Sequence, residues 1–407
     1  MALNKRLVSL VKLLLVAGLM VFVFRQVPFE DRLVYRQGNT VVEEKIIDIE
    51  GSWQADPLAF RIPGEAASRT ADLGPQPDGR QLDVAPGFLT YWHNLDVGLF
   101  ALGAFCYFLT ALIAGARWWW LLRVNGTDVS MAETLRFTWI GIFFNNVVPG
   151  ATGGDLVKAL YIMKRCPGHR VQVLVSVIVD RVLGLASLAL LGGIAVLFAL
   201  DHYGEIALAI WGVIGIVSLL GIIAFSRRLR HLVRLSWLLG RLPHKIGNLL
   251  RLVDQAVFLY RNHKLVIAAS LFAGIGNHIL SVVSVVCIGD ALGVGLPTFD
   301  YFVLIPGINI LTAVPIGPNG WGVGEWSYKY LFSTYGARHL TGPMAAEAMG
   351  TRGVALSVLY RLHVTMWSLL GGLFIFFERN RVTRAEIEAE VEREEREDDV
   401  ERRAARG

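Results

Sequence analysis

Six long apolar segments constrain the fold of this chain more than any other feature. A helix needs about 20 residues to cross a hydrocarbon core roughly 30 Å thick. In lipid, a helix also satisfies its own peptide groups, which an open sheet cannot do. The segments are residues 7–24, 95–122, 171–200, 206–225, 265–288 and 354–377. We therefore predict an all-α polytopic membrane protein with about six full transmembrane helices.

Composition agrees with a membrane protein and argues against nucleic-acid binding. The chain is 54% hydrophobic and 18% charged, whereas a soluble domain carries about 25% charged residues. Its formal net charge of +5 arises mostly in short loops, where Lys and Arg act as topology determinants. The three cysteines have neither CxxC nor metal-site spacing. No disulfide framework, metal or other cofactor is therefore predicted.

The first apolar segment, residues 7–24, has two interpretations. It is short and interrupted by Lys12. It could be a signal peptide with Lys5 and Arg6 in its basic region. No small-residue cleavage motif follows Phe24, so an uncleaved anchor is the favoured interpretation.

Basic residues predict the orientation. Lys5 and Arg6 place the N-terminus in the cytoplasm, and Arg117 and Arg123 place the end of the second span there. Residues 227–264 carry nine Lys or Arg against one acid and are predicted to be cytoplasmic. Two loops without Lys or Arg are predicted to be external, residues 201–205 and 289–300. We expect a multi-pass protein of the cytoplasmic (inner) membrane with both termini in the cytoplasm.

Two polar, glycine-rich breaks interrupt the apolar sequence, at residues 143–155 and 314–325. Non-helical backbone survives at membrane depth only where protein or a water-filled cavity satisfies it. Basic residues flank the first break on both sides, so residues 133–164 are predicted to be a re-entrant hairpin from the cytoplasm. By the same count, residues 301–335 form one from the outer face. Three spans per half then give an inverted repeat, an arrangement that places a transporter's site near the midplane.

This topology divides the chain into six parts. They are an N-terminal transmembrane anchor (1–24), an extracytoplasmic loop or small domain (25–94), a first repeat core (95–226), a basic cytoplasmic amphipathic segment (227–264), a second repeat core (265–377) and a charged cytoplasmic tail (378–407). Within the second part, residues 40–51 predict one or two strands, and residues 57–86 are loop-like.

Asp155 and Glu325 end the two breaks and are the first candidates for function. A charge at the bilayer centre costs at least about 2.5–3.5 kcal/mol, so intramembrane ions tend to be functional. Each carboxylate also follows glycines at the start of an apparent half-helix. There it could cap free N–H groups and complement the helix dipole. Capping alone, and capping combined with a role in binding or gating, both stay open.

Arg361 lies inside the last predicted span, 16 residues before Phe377. A buried guanidinium needs an anion. Two partners are open: Glu325 of the adjoining hairpin, or a lipid phosphate, which Arg binds through two parallel hydrogen bonds.

Two further positions carry charge near the first break. Asp180 and Arg181 are expected close to the cytoplasmic end of their span. Lys158 lies one turn after Asp155, and it could pair with that carboxylate or face a lipid head group.

Uncharged residues complete the candidate site. The amides are expected first to satisfy the broken backbone and second to contact substrate, and the glycines belong to the breaks. These residues are Asn145, Asn146, Asn309, Asn319, Gly153, Gly154 and Gly322. Two isolated histidines in the spans, His278 and His363, are expected to make hydrogen bonds between packed helices.

Common enzyme signatures are absent from the sequence. GATGGDLVK lacks the spacing of a phosphate-binding P-loop, and GWGVG lacks the strand–turn–helix setting of a dinucleotide fingerprint. No nucleophile elbow or HExxH motif occurs. We therefore expect a protein that is not an enzyme.

Four motifs together resemble the flippase-like membrane domain family, also called the transmembrane region of lysylphosphatidylglycerol synthase. They are GGDLVKALYI (153–162), DRVLGL (180–185), PIGPNGWGVGE (315–325) and SVLYR (357–361). The resemblance implies an integral inner-membrane protein that moves or handles lipids. It covers roughly residues 95–377 and does not extend to a soluble aminoacyltransferase domain. Lys158 stands where the family often has Arg.

The expected function is transport of an anionic or modified (glyco)phospholipid, or of a polyprenyl-phosphate-type lipid. Two opposed hairpins would form a polar cavity, in which Arg361, with Arg181 or Lys158, binds the phosphate. One alternative is a non-transporting scaffold or accessory protein for a lipid-modifying enzyme. Another is a membrane-embedded transferase that uses Asp155 or Glu325 as general base. Membrane lipids are thus the expected partners, and the sequence does not predict an oligomeric state.

Overall fold

A computed structural model describes most of the chain between the first apolar segment and the tail. The predicted anchor (1–24, apart from residue 21), residues 227–258 of the basic segment and residues 379–407 of the tail lie outside the described residues. So do the centres of the two predicted breaks, residues 148–152 and residues 313–321, which include Asn319. The described residues are 21, 25, 29–37, 40–65, 67–147, 153–225, 259–312, 322–340 and 344–378.

Residues 29–94 contain a small β domain, so the prediction of an all-α protein is wrong for this part of the chain. One antiparallel sheet has the order β2-β1-β7-β6, and a second has the order β3-β4-β5. Its core includes Leu33, Leu58 and Leu82, each at most 1% exposed. The strands are β1 (Arg32–Gln37), β2 (Thr40–Lys45), β3 (Asp48–Glu50), β4 (Leu58–Arg61), β5 (Arg69–Ala71), β6 (Gly74–Pro75) and β7 (Gln81–Ala85).

The strands predicted within residues 40–51 are confirmed as β2 and β3. The prediction that residues 57–86 are loop-like is wrong, because four of the seven described strands lie there. These strands have two to five residues. Such short segments show little alternation of apolar and polar residues, and pairing with neighbouring strands stabilises them.

The rest of the described chain is mainly helical. Four of its helices, α2, α5, α7 and α10, are long and apolar enough to cross a membrane. The helices are α1 (Phe88–His93), α2 (Val97–Val124), α3 (Met131–Val147), α4 (Gly153–Arg165), α5 (Arg170–Leu197), α6 (Leu200–Phe225), α7 (Lys264–Ala291), α8 (Thr298–Thr312), α9 (Val323–Leu331) and α10 (Ala345–Phe377). The predicted span at residues 206–225 falls within α6.

The chain packs as two compact units. Unit 1 comprises Met1–Tyr107 and Leu280–Val364, and unit 2 comprises Phe108–Ile279 and Thr365–Gly407. The division runs through α2, α7 and α10, and so differs from the predicted cores at 95–226 and 265–377. Each unit contains one of the two breaks.

In unit 2, α3 and α4 form an antiparallel helical hairpin around the first break. Arg165 Nε donates to Glu133 Oε1 at 2.9 Å at the open end. One turn further in, the rings of Phe137 and Tyr161 stack with centroids 5.1 Å apart. From the first pair to the second, the residue number increases in α3 and decreases in α4, so the two helices are antiparallel. The segment that connects them, which contains the break, therefore lies at the opposite end from Glu133 and Arg165. Re-entry of this hairpin from one membrane face remains a prediction.

In unit 1, α8 and α9 flank the second break in a similar way. Asp300, in the first turn of α8, accepts from Arg338 Nη2 at 2.9 Å and lies 2.5 Å from His339 Nε2. The rings of Tyr301 and Phe332 meet at 6.0 Å. Directly after α9, Phe332–Gly336 forms a π-helical turn.

A buried arginine of α10 attaches the β domain to the helices of unit 1. Arg352 is 7% exposed. It donates to the Val294 carbonyl at 2.8 Å and to the Tyr91 hydroxyl at 3.2 Å. Its guanidinium lies 4.7 Å from the centre of the Trp53 ring. A cation–π contact and two hydrogen bonds therefore compensate for its burial.

Candidate functional sites in the two units

In unit 2, an amide from one side of the break caps the helix on the other side. Asn145 Oδ1 accepts a hydrogen bond from the Gly154 N–H at 3.0 Å. A Cβ on Gly154 would collide with the Gly141 carbonyl oxygen and with the Asn145 amide. Glycine at this position therefore permits the close approach of α3 and α4. Gly153 is the first residue of α4, and Asn146 donates to the Ile142 carbonyl of its own helix at 3.4 Å.

Five charged side chains of unit 2 form an alternating series next to this cap. Arg117 Nε donates to Asp180 Oδ1 at 2.8 Å. Lys158 Nζ lies 3.9 Å from Asp180 Oδ2 and 3.0 Å from Asp155 Oδ1. Asp155 also forms an ion pair with Arg181. Each carboxylate thus lies between two cations.

Four members of this series are buried. Arg117, Asp155, Lys158 and Asp180 are at most 8% exposed, whereas the Arg181 side chain is 48% exposed. The Lys158 ammonium also lies 4.4 Å from the centre of the buried Trp118 ring. Burial without partners would be costly for any of these charges. The ion pairs of the series therefore compensate for the burial of these four charges, and Arg181 is the accessible end of the series.

A cavity of about 260 Å³ adjoins the series. All five charged residues line it, together with uncharged polar groups that include Thr138, Asn145, Asn277 and His278. His278 Nε2 lies 3.0 Å from the Gly184 carbonyl of α5, which confirms the predicted helix–helix hydrogen bond.

Sequence reasoning missed Arg117 as a site residue, because it used this arginine only as evidence that the second span ends in the cytoplasm. The neighbouring Arg123 does have an exposed position, paired with Asp128 at 2.8 Å. Arg117, six residues earlier, is buried against Asp180. Two arginines within two turns at the end of a predicted span could have indicated that the inner one needs a partner.

In unit 1, the carboxylate itself caps the helix after the break. Glu325 Oε2 accepts from the Gly322 N–H at 2.6 Å, and Gly322 has the left-handed φ of 83° that glycine permits. Glu325 is fully buried and forms an ion pair with Arg361. Of the two partners that the sequence left open for Arg361, the structure contains the carboxylate.

The capping role predicted for both acids is thus found for Glu325. In unit 2, Asn145 accepts from the α4 terminus and Asp155 faces cations. A Cβ on Gly324 would collide with the Arg361 guanidinium, so glycine is required for the unit 1 pair to form. The hydrogen bond to another helix that was expected for His363, which is buried on α10, is not found within the described residues. Its ring instead packs edge-on against Tyr107 at 5.0 Å.

Unit 1 has its own cavity, of about 160 Å³. The hydrogen-bonding side chains that line it, besides Arg361, are Tyr107, Asn309, Thr312, Tyr328, Ser357 and Tyr360. The predicted site residues therefore fall into two groups. Asn145, Gly154, Asp155, Lys158, Asp180 and Arg181 lie together in unit 2. Gly322, Glu325 and Arg361 lie together in unit 1.

Among the described residues, no group of three or more His, Cys, Asp or Glu side chains could hold a metal ion.

Comparison with known proteins gives one family and one relative. The sequence profile of the family described as "Lysylphosphatidylglycerol synthase TM region" matches residues 81–377. A UPF0104 membrane protein of Pyrococcus horikoshii is 26% identical over 311 residues, which is 70% of this chain and 88% of the relative. The family match includes the two breaks and the residues that line both cavities.

Proposed function

Because the chain belongs to the family of the lysylphosphatidylglycerol synthase TM region, we propose that it is a lipid transporter of the cytoplasmic membrane. Its substrate is an anionic or modified (glyco)phospholipid, or a polyprenyl-phosphate-type lipid, and it catalyses no reaction. The two helical hairpins are re-entrant. The unit 2 cavity receives the anionic part of the head group.

The main support for this proposal is the net positive charge of the residues that line the unit 2 cavity. Its charged lining consists of three cations (Arg117, Lys158, Arg181) and two carboxylates (Asp155, Asp180). With His278 neutral, the lining has a net charge of +1. A net charge in a low-dielectric site is unfavourable. One monoanion, such as a phosphodiester, would neutralise it.

Geometry supports phosphate as that anion. Arg181 is the half-exposed end of the series, and its guanidinium offers the planar pair of donors that suits a phosphate. The N-terminus of α4 lies beside Asp155, and the helix dipole there favours negative charge. In the structure, Asp155 is the anion that pairs with Arg181. When a phosphate takes the place of Asp155 at Arg181, the carboxylate is still paired with Lys158. The carboxylate thus acts as an internal substitute for the ligand.

Native mass spectrometry of the gently purified protein tests binding. We expect the wild type to retain one class of anionic lipid and Arg181→Gln to retain about ten-fold less, since a charge-assisted hydrogen bond contributes about 1.5–3 kcal/mol. The matched control is Arg165→Gln. Arg165 also pairs with a carboxylate, but its side chain is 57% exposed and lies outside the cavity. Arg165→Gln should retain wild-type lipid.

Transport is then measured as dithionite-accessible loss of fluorescence in vesicles that contain labelled phosphatidylglycerol. Wild type should expose label from both leaflets, and Arg181→Gln should not. Identical, nonspecific lipid profiles in all three proteins would favour the scaffold alternative. Appearance of a modified lipid on incubation would favour a transferase.

A further inference from the structure

The two units place different residues at equivalent positions around their arginine–carboxylate pairs. Three residues after the carboxylate, unit 2 has Lys158 and unit 1 has Tyr328. Immediately before the arginine, unit 2 has Asp180 and unit 1 has Tyr360. Both tyrosines line the unit 1 cavity. Two charges of unit 2 are thus replaced by hydroxyls in unit 1.

This exchange makes the unit 1 cavity electrically neutral. Arg361 is the one charged residue that lines it within the described part of the chain, and Arg361 is paired with Glu325. The arginine is 8% exposed and the carboxylate is fully buried. An anion in this cavity would add a second negative charge beside Glu325 without a second cation. The ligand that fits is uncharged.

One hydroxyl of the cavity wall is left without a partner. Ser357 is 1% exposed, and its Oγ has no hydrogen bond within the described structure. Two other helical serines, Ser327 and Ser368, donate back to their own helix, to Val323 O and Thr365 O respectively, both at 2.7 Å. Buried polar groups are nearly always satisfied. Ser357 therefore points to a hydrogen-bonding ligand in the cavity.

We propose that the unit 1 cavity binds an uncharged polyhydroxylated group, such as a sugar ring or a polyol. Its volume of about 160 Å³ is close to the 150 Å³ or so that accommodates a benzene ring. Tyrosine offers an apolar ring face and a polar hydroxyl, which suits a ring with apolar faces and hydroxylated edges. Asn309 and Ser357 supply further hydrogen bonds.

This group could belong to a membrane glycolipid or be a free sugar. Binding at this cavity requires neither transport nor an anion in unit 2, so the inference goes beyond the proposed function and can fail separately from it. Four probes are compared in a polyoxyethylene detergent that contains no sugar: monoglucosyl diacylglycerol, diacylglycerol, glucose and phosphatidic acid. Phosphatidic acid serves as an anion without a polyol.

Native mass spectrometry then reports the occupancy of each probe. We expect monoglucosyl diacylglycerol to bind and diacylglycerol not to bind. Ser357→Ala should weaken binding about five-fold, the effect of one hydrogen bond. Ser368→Ala, on the same helix but bonded to its own backbone, should leave it unchanged. Asn309→Leu is a second variant that removes a polar group from the wall, and it should also weaken glucolipid binding.

Each outcome decides between these ideas. Glucose binding that Ser357→Ala weakens supports the site with a free sugar as its source. Equal binding of diacylglycerol and the glucolipid overturns the proposal, because the head group then contributes nothing. The proposal is also overturned if Ser357→Ala weakens the binding of phosphatidic acid and not that of the glucolipid. A third overturning result is an equal effect of Ser357→Ala and Ser368→Ala on glucolipid binding.

Discussion

Replacing Arg361 with methionine should destabilise the protein far more than the same replacement of Arg181. Glu325 is fully buried, and its cation Arg361 is 8% exposed. Removing one partner of a buried ion pair costs about 3–5 kcal/mol, because the other charge stays buried without compensation. The expected loss in the free energy of unfolding for Arg361→Met is therefore about 3–5 kcal/mol.

The cost at Arg181 should be much smaller for two structural reasons. Its side chain is 48% exposed, and Asp155 keeps Lys158 Nζ at 3.0 Å. Exposed ion pairs contribute about 0–1 kcal/mol, so we expect Arg181→Met to cost about 1 kcal/mol or less. The difference between the two variants is thus roughly 3 kcal/mol. It arises from burial and from the second cation in unit 2.

Equilibrium unfolding in mixed micelles of a mild detergent and dodecyl sulfate measures these free energies. The double variant Glu325→Gln/Arg361→Met should be more stable than Arg361→Met alone, since glutamine is uncharged and still offers an oxygen to the Gly322 N–H. Coupling between the two positions is read from the double-mutant cycle. Two single variants within 1 kcal/mol of each other would refute the reasoning, as would a double variant no more stable than Arg361→Met.

Three further substitutions test the packing around these sites. Gly154→Ala should lower the melting temperature, because the added carbon collides with a carbonyl of α3. Gly276→Ala should leave the melting temperature unchanged, because nothing lies within 4 Å of its added carbon. Equal melting temperatures of the two variants would contradict this reasoning. Asn145→Ala should cost about 1 kcal/mol in the unfolding assay, as removal of a helix cap does, and no effect would mean that another group caps α4. Arg352→Met should speed limited proteolysis within residues 40–85 while the helical circular dichroism signal stays constant. The control is Arg80→Met, which removes an exposed charge of the same β domain. Equal cleavage rates of the two variants would argue against Arg352 as the residue that attaches the β domain to the helices.

Much of the helical framework was predictable because its causes are local. Apolar length predicts α2, α5, α7 and α10, since a helix needs only its own residues to satisfy its backbone in lipid. Glycine, proline and asparagine predict both breaks. Each carboxylate at a break is found at the start of a helix, Asp155 in α4 and Glu325 in α9.

The partners of the charges were not predictable in the same way. Arg117 and Asp180 are 63 residues apart in the chain, and no local pattern links them. Which residue near each carboxylate lines a cavity also depends on the fold. In the structure, the position three residues after the carboxylate is Tyr328 in unit 1, and this tyrosine lines the cavity.

By itself, the sequence determined a helical membrane protein of the lysylphosphatidylglycerol synthase TM region family. It also determined two glycine-rich interruptions of the apolar sequence, each ending in a carboxylate. Those properties depend on hydropathy and on the conformational limits of single residues. Tertiary structure decided which cation meets which carboxylate, that one cavity is positively charged and the other neutral, and that residues 29–94 fold into two sheets. These features depend on contacts between residues far apart in the chain, whose energies are set by burial and distance in the folded protein.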